Sequence, residues 1–224
     1  MEIDDSPKLE LIGVQSEPLD GGQSRVTLRT TDGNMEGIFH PAEGKSGVVW
    51  LSGALGGFDG PSFGIFTVLS HELTSEGISS LRLHYRFPGE FDDCVLDVLL
   101  ATRFLEQNGV NRVALAGHSF GGAVAIMAGT MSPLVKAVVG LSSQTFGVHQ
   151  VSKLSPRPLL LIHGDRDQNL PVQCSYNIYD WAKEPKELVI YKGSGHFLRE
   201  CKNELHDLLK GWLVDKLKQN KATA

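Results

Sequence analysis

Two stretches of this 224-residue chain set a serine between glycines at the spacing Gly-x-Ser-x-Gly: Gly60-Pro61-Ser62-Phe63-Gly64 and Gly117-His118-Ser119-Phe120-Gly121. A serine hydroxyl becomes an acyl-transfer nucleophile when a sharp strand-to-helix turn lifts it clear of its surroundings, and flanking glycines keep Cβ atoms out of that turn. Local context separates the two serines. Ser119 follows the apolar run Arg112 to Ala116 and precedes a helical stretch of small residues, whereas Ser62 follows a loop, with Pro61 fixing φ where a helix would begin. Ser119 is the expected nucleophile, and Ser62 is read as a helix-start or loop serine.

Such a hydroxyl needs a base to take its proton and a carboxylate to hold that base in the right tautomer. With the chain order serine, acid, histidine, the acid falls in His163-Gly164-Asp165-Arg166-Asp167 and the base in Gly193-Ser194-Gly195-His196-Phe197. Asp167 is preferred because Asp165, next to Gly164, is placed to bond nearby backbone and shape the turn, whereas Asp167 lies further out. His196 is the expected base. His149, His163 and His206 read as surface or packing histidines, and His118 as elbow packing or pocket wall.

Developing charge on the carbonyl oxygen calls for two fixed backbone donors. One is the N–H of Phe120. The other comes from the glycine-rich loop Ser52-Gly53-Ala54-Leu55-Gly56-Gly57, with Ala54 taken first and Leu55 as its alternative. That loop lacks the spacing of a dinucleotide or phosphate-binding motif. Phe58, Phe146 and Phe197 are expected walls for a small or medium acyl group. No cofactor and no metal is implied.

The elements that must position these residues follow from periodicity. Lys8 to Val14, Arg25 to Thr30 and Met35 to Phe39 read as antiparallel entry strands. From Gly47 onward, apolar runs (Val48 to Leu51, Ser80 to His84, Arg112 to Ala116, Val135 to Leu141, Leu159 to His163, Glu187 to Tyr191) alternate with helical stretches. The helices are expected at Phe63 to Ser75, Asp93 to Gln107, Gly122 to Met131, Val172 to Ala182 and Lys202 to Leu217. This is the pattern of a mostly parallel α/β sheet with helices on both faces. Residues 1–218 are read as one domain and 219–224 as a flexible tail. Only Ser142 to Pro158 separates two strands where a cap would be inserted, so no cap domain is expected.

Bulk properties narrow the partners. A formal charge of −5 with no basic run disfavours nucleic acid and anionic membranes. The acidic start Met1-Glu2-Ile3-Asp4-Asp5 and three scattered cysteines fit a cytoplasmic enzyme with free thiols. A small-molecule acyl substrate is the expected partner, and the oligomeric state is left open.

Gly117-His118-Ser119-Phe120-Gly121-Gly122, His163-Gly164-Asp165-Arg166-Asp167 and Gly195-His196-Phe197 together resemble the α/β-hydrolase superfamily, in particular its small lidless bacterial carboxylesterases and dienelactone-hydrolase-like proteins. The resemblance spans Val48 to Leu217 and implies Asp167 as the acid, through the family's H-G-x-x-D. It departs at Ser52-Gly53, where many relatives have His-Gly, and at Ser119, where dienelactone hydrolases proper use cysteine. The implied activity is ester hydrolysis through an acyl-enzyme. A thioesterase or amidase with the same triad, and a catalytically silent binding protein on the same fold, are the alternatives.

Overall fold

The computed structural model describes residues 9–218; the tail expected at 219–224 lies outside them. Nine strands form one sheet in the order β1-β2-β3-β5-β4-β6-β7-β8-β9. β1 (Leu11–Pro18), β2 (Ser24–Thr30) and β3 (Gly33–His40) run antiparallel, and β3 pairs antiparallel with β5 (Ile78–His84). From there β4 (Ser46–Leu51), β5, β6 (Arg112–His118), β7 (Val135–Leu141), β8 (Leu159–Gly164) and β9 (Lys186–Tyr191) are parallel.

Alternation along each buried strand divides the core in two. On β4, Val49 and Leu51 face the cluster built with α2 (Phe91–Gln107), α3 (Phe120–Met131) and α4 (Gln173–Trp181). Val48 and Trp50 face the other, built with α1 (Pro61–Glu72) and α5 (Lys202–Leu217). The sheet is therefore covered on both faces, as its apolar strands require, and no separate cap stands over it among the described residues.

Two elements differ from their sequence reading. β1 begins at Leu11 and continues to Pro18, because pairing with β2 carries the exposed polar residues Gln15 to Glu17 into the ladder. The helix expected from Phe63 to Ser75 starts at Pro61, but Ser62, Phe63 and Gly64 are left-handed, so its regular turns begin after them. It ends at Glu72 and passes into a 3-10 turn, Leu73–Glu76, closed by Gly77 at φ 72°. The remaining boundaries match or move by two residues at most.

The parallel strands share a direction, so the loops leaving their carboxyl ends converge on one edge of the sheet. Ser52 follows β4, Ser119 follows β6, Asp167 follows β8 and His196 follows β9.

Candidate active site

Ser119 sits between β6 and α3 with φ 58° and ψ −120°, a conformation costing a non-glycine residue about 1–3 kcal/mol. Its surroundings hold it there. A Cβ on Gly117 would overlap the carbonyl oxygen of Gly121, one on Gly121 would overlap that of Ser52, and one on Gly122 would lie 2.8 Å from Ser143 Oγ. The glycines thus let α3 approach β4 and β6 at backbone distance. Ser119 N–H donates to Leu141 O at 2.8 Å, while its hydroxyl makes no capping bond to the helix it starts.

Asp167 leaves β8 with every lone pair of its carboxylate engaged. Oδ1 accepts the N–H groups of Asn169 (2.8 Å) and Leu170 (2.9 Å), and Oδ2 accepts His196 Nδ1–H (2.7 Å) and His163 Nε2–H (3.0 Å). Burial alone would raise the carboxyl's pKa. The donors from Leu170, His196 and Asn169 outweigh it and hold the group below its ordinary range, so it is ionised at neutral pH. An ionised carboxylate only accepts, which fixes the proton of His196 on Nδ1 and leaves Nε2 basic.

Asp165 points elsewhere: its Oδ1 accepts the N–H of Gly193 at 2.6 Å and ties the β8 loop to the loop that carries His196. The turn-forming role expected for Asp165 belongs instead to Asp167, whose Oδ1 closes the turn to Asn169 and Leu170.

His163 is the residue the sequence reading undervalued. It is fully buried, with Nδ1 2.7 Å from Ser175 Oγ and Nε2 facing both Asp167 Oδ2 and Leu170 O. Two oxygens opposite Nε2 assign its proton there, so Nδ1 accepts from the Ser175 hydroxyl. Burial lowers the His163 pKa and keeps the ring neutral. The signal was in the sequence: Asp167 lies four positions after His163, across one tight loop.

His118, Ser119, Asn169, His196 and Phe197 line a single cavity of about 530 Å³, together with the loop from Ser52 to Gly60. Phe58 and Phe197 belong to this lining. Phe146 is not among the lining residues; it is 70% exposed and packs against Phe91 at 5.6 Å. Among the described residues no hydrogen bond joins Ser119 Oγ to His196, a looseness common before substrate binds. On the opposite wall, Gly53 comes close to Ser119, a Cβ there lying 3.9 Å from Ser119 Cβ. The bond Gly56 N–H to Gly53 O (2.9 Å) puts Ala54 and Leu55 at the centre of a turn, which His84 Nδ1 braces by accepting Gly57 N–H at 2.9 Å. Neither Ala54 N–H nor Phe120 N–H has a backbone partner among the described residues. Among those residues there is also no group of His, Cys, Asp and Glu suited to a metal ion, and no helix long and apolar enough to cross a membrane.

His118 gives the site a pH signature. The residue is 4% exposed, and burial pushes its pKa down to about 4 despite the bond of Nε2 to His196 O. Burial, with Arg82 and His71 nearby, takes His40 to about 4 as well. For each, the folded pKa lies below the unfolded value, so the stabilisation is complete above about pH 6.5 and is lost as pH falls toward 4. His206, raised by its Asp207 and Glu72 partners, works in the opposite sense but is partly exposed and counts for less. Urea denaturation should therefore show stability falling between pH 6.5 and 4, with His118 contributing about 3 kcal/mol. His118→Gln should flatten the curve; an unchanged slope would show that the ring is not held neutral.

Comparison with known proteins agrees with the architecture. The phospholipase/carboxylesterase family model matches residues 96–211, just over half of the chain. Over 50 residues the chain is 44% identical to the uncharacterized protein YfhR of Escherichia coli K12, a stretch covering 22% of this chain and 18% of that relative. Among solved structures, a dienelactone hydrolase from Anabaena variabilis superposes with a TM-score of 0.74 at 17% identity, covering 88% of this chain and 98% of its own. An alpha-beta serine hydrolase homologue from Coxiella burnetii gives 0.70 at 22% identity, covering 84% and 96%. At these identities the structural likeness speaks for the fold alone. The family match places the chain in the phospholipase/carboxylesterase family, and the structural likeness gives it the α/β-hydrolase fold.

Proposed function

We propose that the protein hydrolyses small or medium acyl esters through an acyl-enzyme, with Ser119 as nucleophile, His196 as base and Asp167 as the acid that orients it. The observation that carries this reading is the 2.7 Å bond between His196 Nδ1 and an ionised Asp167 that accepts three further N–H groups, beside the cavity that Ser119 and His196 line. The Ser119 proton passes to His196 Nε2 as Oγ bonds to the acyl carbon. The resulting imidazolium, stabilised by Asp167, gives that proton to the departing alkoxide as the C–O bond breaks. Water then repeats the sequence, releasing the acid and restoring Ser119.

Phe120 N–H, at the amino end of α3, and Ala54 N–H, in the braced turn beside Ser119, are the proposed oxyanion donors. Phe58 and Phe197 offer apolar walls to the acyl group. The absence of a separate cap over the described residues favours compact substrates reached from solvent.

The test is covalent labelling with a fluorophosphonate, followed by mass spectrometry of the labelled peptide. Attachment to Ser119, with hydrolysis of short acyl p-nitrophenyl esters blocked in proportion, is the expected result. Attachment to Ser62 or elsewhere, or an active enzyme that takes up no label, would overturn the assignment.

A further inference from the structure

The second Gly-x-Ser-x-Gly segment has no part in the chemistry above, yet its geometry is unusual. Ser62 is 1% exposed and lies in a left-handed run: φ is 71° at Gly60, 51° at Ser62, 59° at Phe63 and 87° at Gly64. Left-handed backbone costs a non-glycine residue roughly 1–2 kcal/mol, so it persists where neighbours over-determine it. Here they do. A Cβ on Gly60 would overlap the Phe66 ring, and Phe66 N–H closes the turn by donating to Asp59 O at 3.1 Å.

What this turn presents is a pair of donors. Ser62 N–H donates to Phe197 O at 2.9 Å, and Ser62 Oγ–H donates to Leu198 O at 3.1 Å. Those carbonyls directly follow His196, whose own carbonyl accepts His118 Nε2–H at 2.9 Å. Leu198 is itself left-handed at φ 54°, the conformation that turns its carbonyl toward Ser62. Three successive carbonyls of the base loop are therefore held from outside it, and each of the two Gly-x-Ser-x-Gly segments supplies part of the hold.

We propose that Ser62 is a positioning residue for the reaction: with His118 it clamps the backbone carbonyls of His196 and of the two residues that follow it, keeping the imidazole aligned between Asp167 and Ser119. This rests on the triad reading of Ser119, Asp167 and His196. A catalytic group allowed to drift by about 1 Å loses on the order of a hundredfold in rate. Loss of the hydroxyl alone, with Ser62 N–H still bonded to Phe197 O, costs a smaller part of that.

The experiment compares Ser62→Ala and Ser62→Gly with wild type on a short acyl p-nitrophenyl ester, with rates expressed per site titrated by a fluorophosphonate. Glycine adopts the left-handed backbone freely, so it separates the hydroxyl from backbone strain and carries the test if the alanine variant fails to fold. Both variants should lose about five- to tenfold in kcat with KM within about twofold, and the label should stay on Ser119. The inference falls if Ser62→Gly keeps wild-type kcat per titrated site, or if the loss is only in the number of sites, which is what a purely structural role would give. An inactive, unlabelled wild type would instead strike the triad reading and this inference with it.

Discussion

Asp167→Asn is expected to lower kcat on a short acyl ester by about ten-thousandfold, while Asp165→Asn leaves it within about threefold of wild type. The asymmetry follows from what each carboxylate accepts. Four N–H donors converge on Asp167, two on each oxygen. A carboxamide can accept at only one end. If its NH2 faces His196 and His163, donors oppose donors, and His196 relieves the clash by moving its proton to Nε2, where it no longer serves as a base. If the NH2 faces Asn169 and Leu170 instead, the turn over residues 167–170 opens and the side chain loses its aim. Either way the imidazolium formed during attack loses its counter-charge. Asp165 accepts one bond, from Gly193 N–H, and an amide oxygen accepts the same bond. Steady-state kinetics on both variants, with melting curves to confirm that each is folded, decides the matter. A comparable loss at Asp165 would transfer the role.

Much of the frame behind that prediction is legible in the chain because parallel strands buried on both faces leave compact apolar runs. Val135–Leu141 and Lys202–Leu217 have the bounds that periodicity alone assigns, and the other parallel strands differ by two residues at most. The loop that carries Ser119 is legible for a related reason: Gly117 and Gly121 answer to backbone contacts that no other residue tolerates. What sequence does not carry is distance across the fold. His163 looks like a packing histidine until Asp167 and Ser175 are seen on either side of its ring. Phe146 looks like a pocket wall until its loop places it on Phe91. Ser62 shows the same limit from the other direction, since Pro61 suggests an ordinary helix start. The left-handed turn that replaces it is stabilised by residues 135 and 136 positions away, at Phe197 and Leu198.

Gly121→Ala should cost about 4 kcal/mol or more, lowering Tm by roughly 10 °C, and what folds should lose at least about a hundredfold in kcat. The added methyl would overlap the carbonyl oxygen of Ser52 and lie 2.5 Å from that of Leu51. Both are backbone atoms at the end of β4, with no rotamer to change, so α3 must lift away from the sheet or the end of β4 must move. Lifting α3 displaces Ser119 and the Phe120 N–H together; moving β4 displaces the loop that holds Ala54. Either way, one methyl group separates Ser119, the proposed nucleophile, from the Ala54 N–H, the proposed donor on the β4 side. Gly211→Ala is the matched control. Gly211 lies within α5 with nothing within 4 Å of a Cβ, so alanine there should stabilise the helix by about 0.5–1 kcal/mol and raise Tm by roughly 1–4 °C without changing kcat. Thermal melts and kinetics on the pair test the contact itself. A Gly121→Ala enzyme with wild-type Tm and kcat would mean that α3 is not pressed against β4 at Ser52, and the elbow's strained geometry would need another cause.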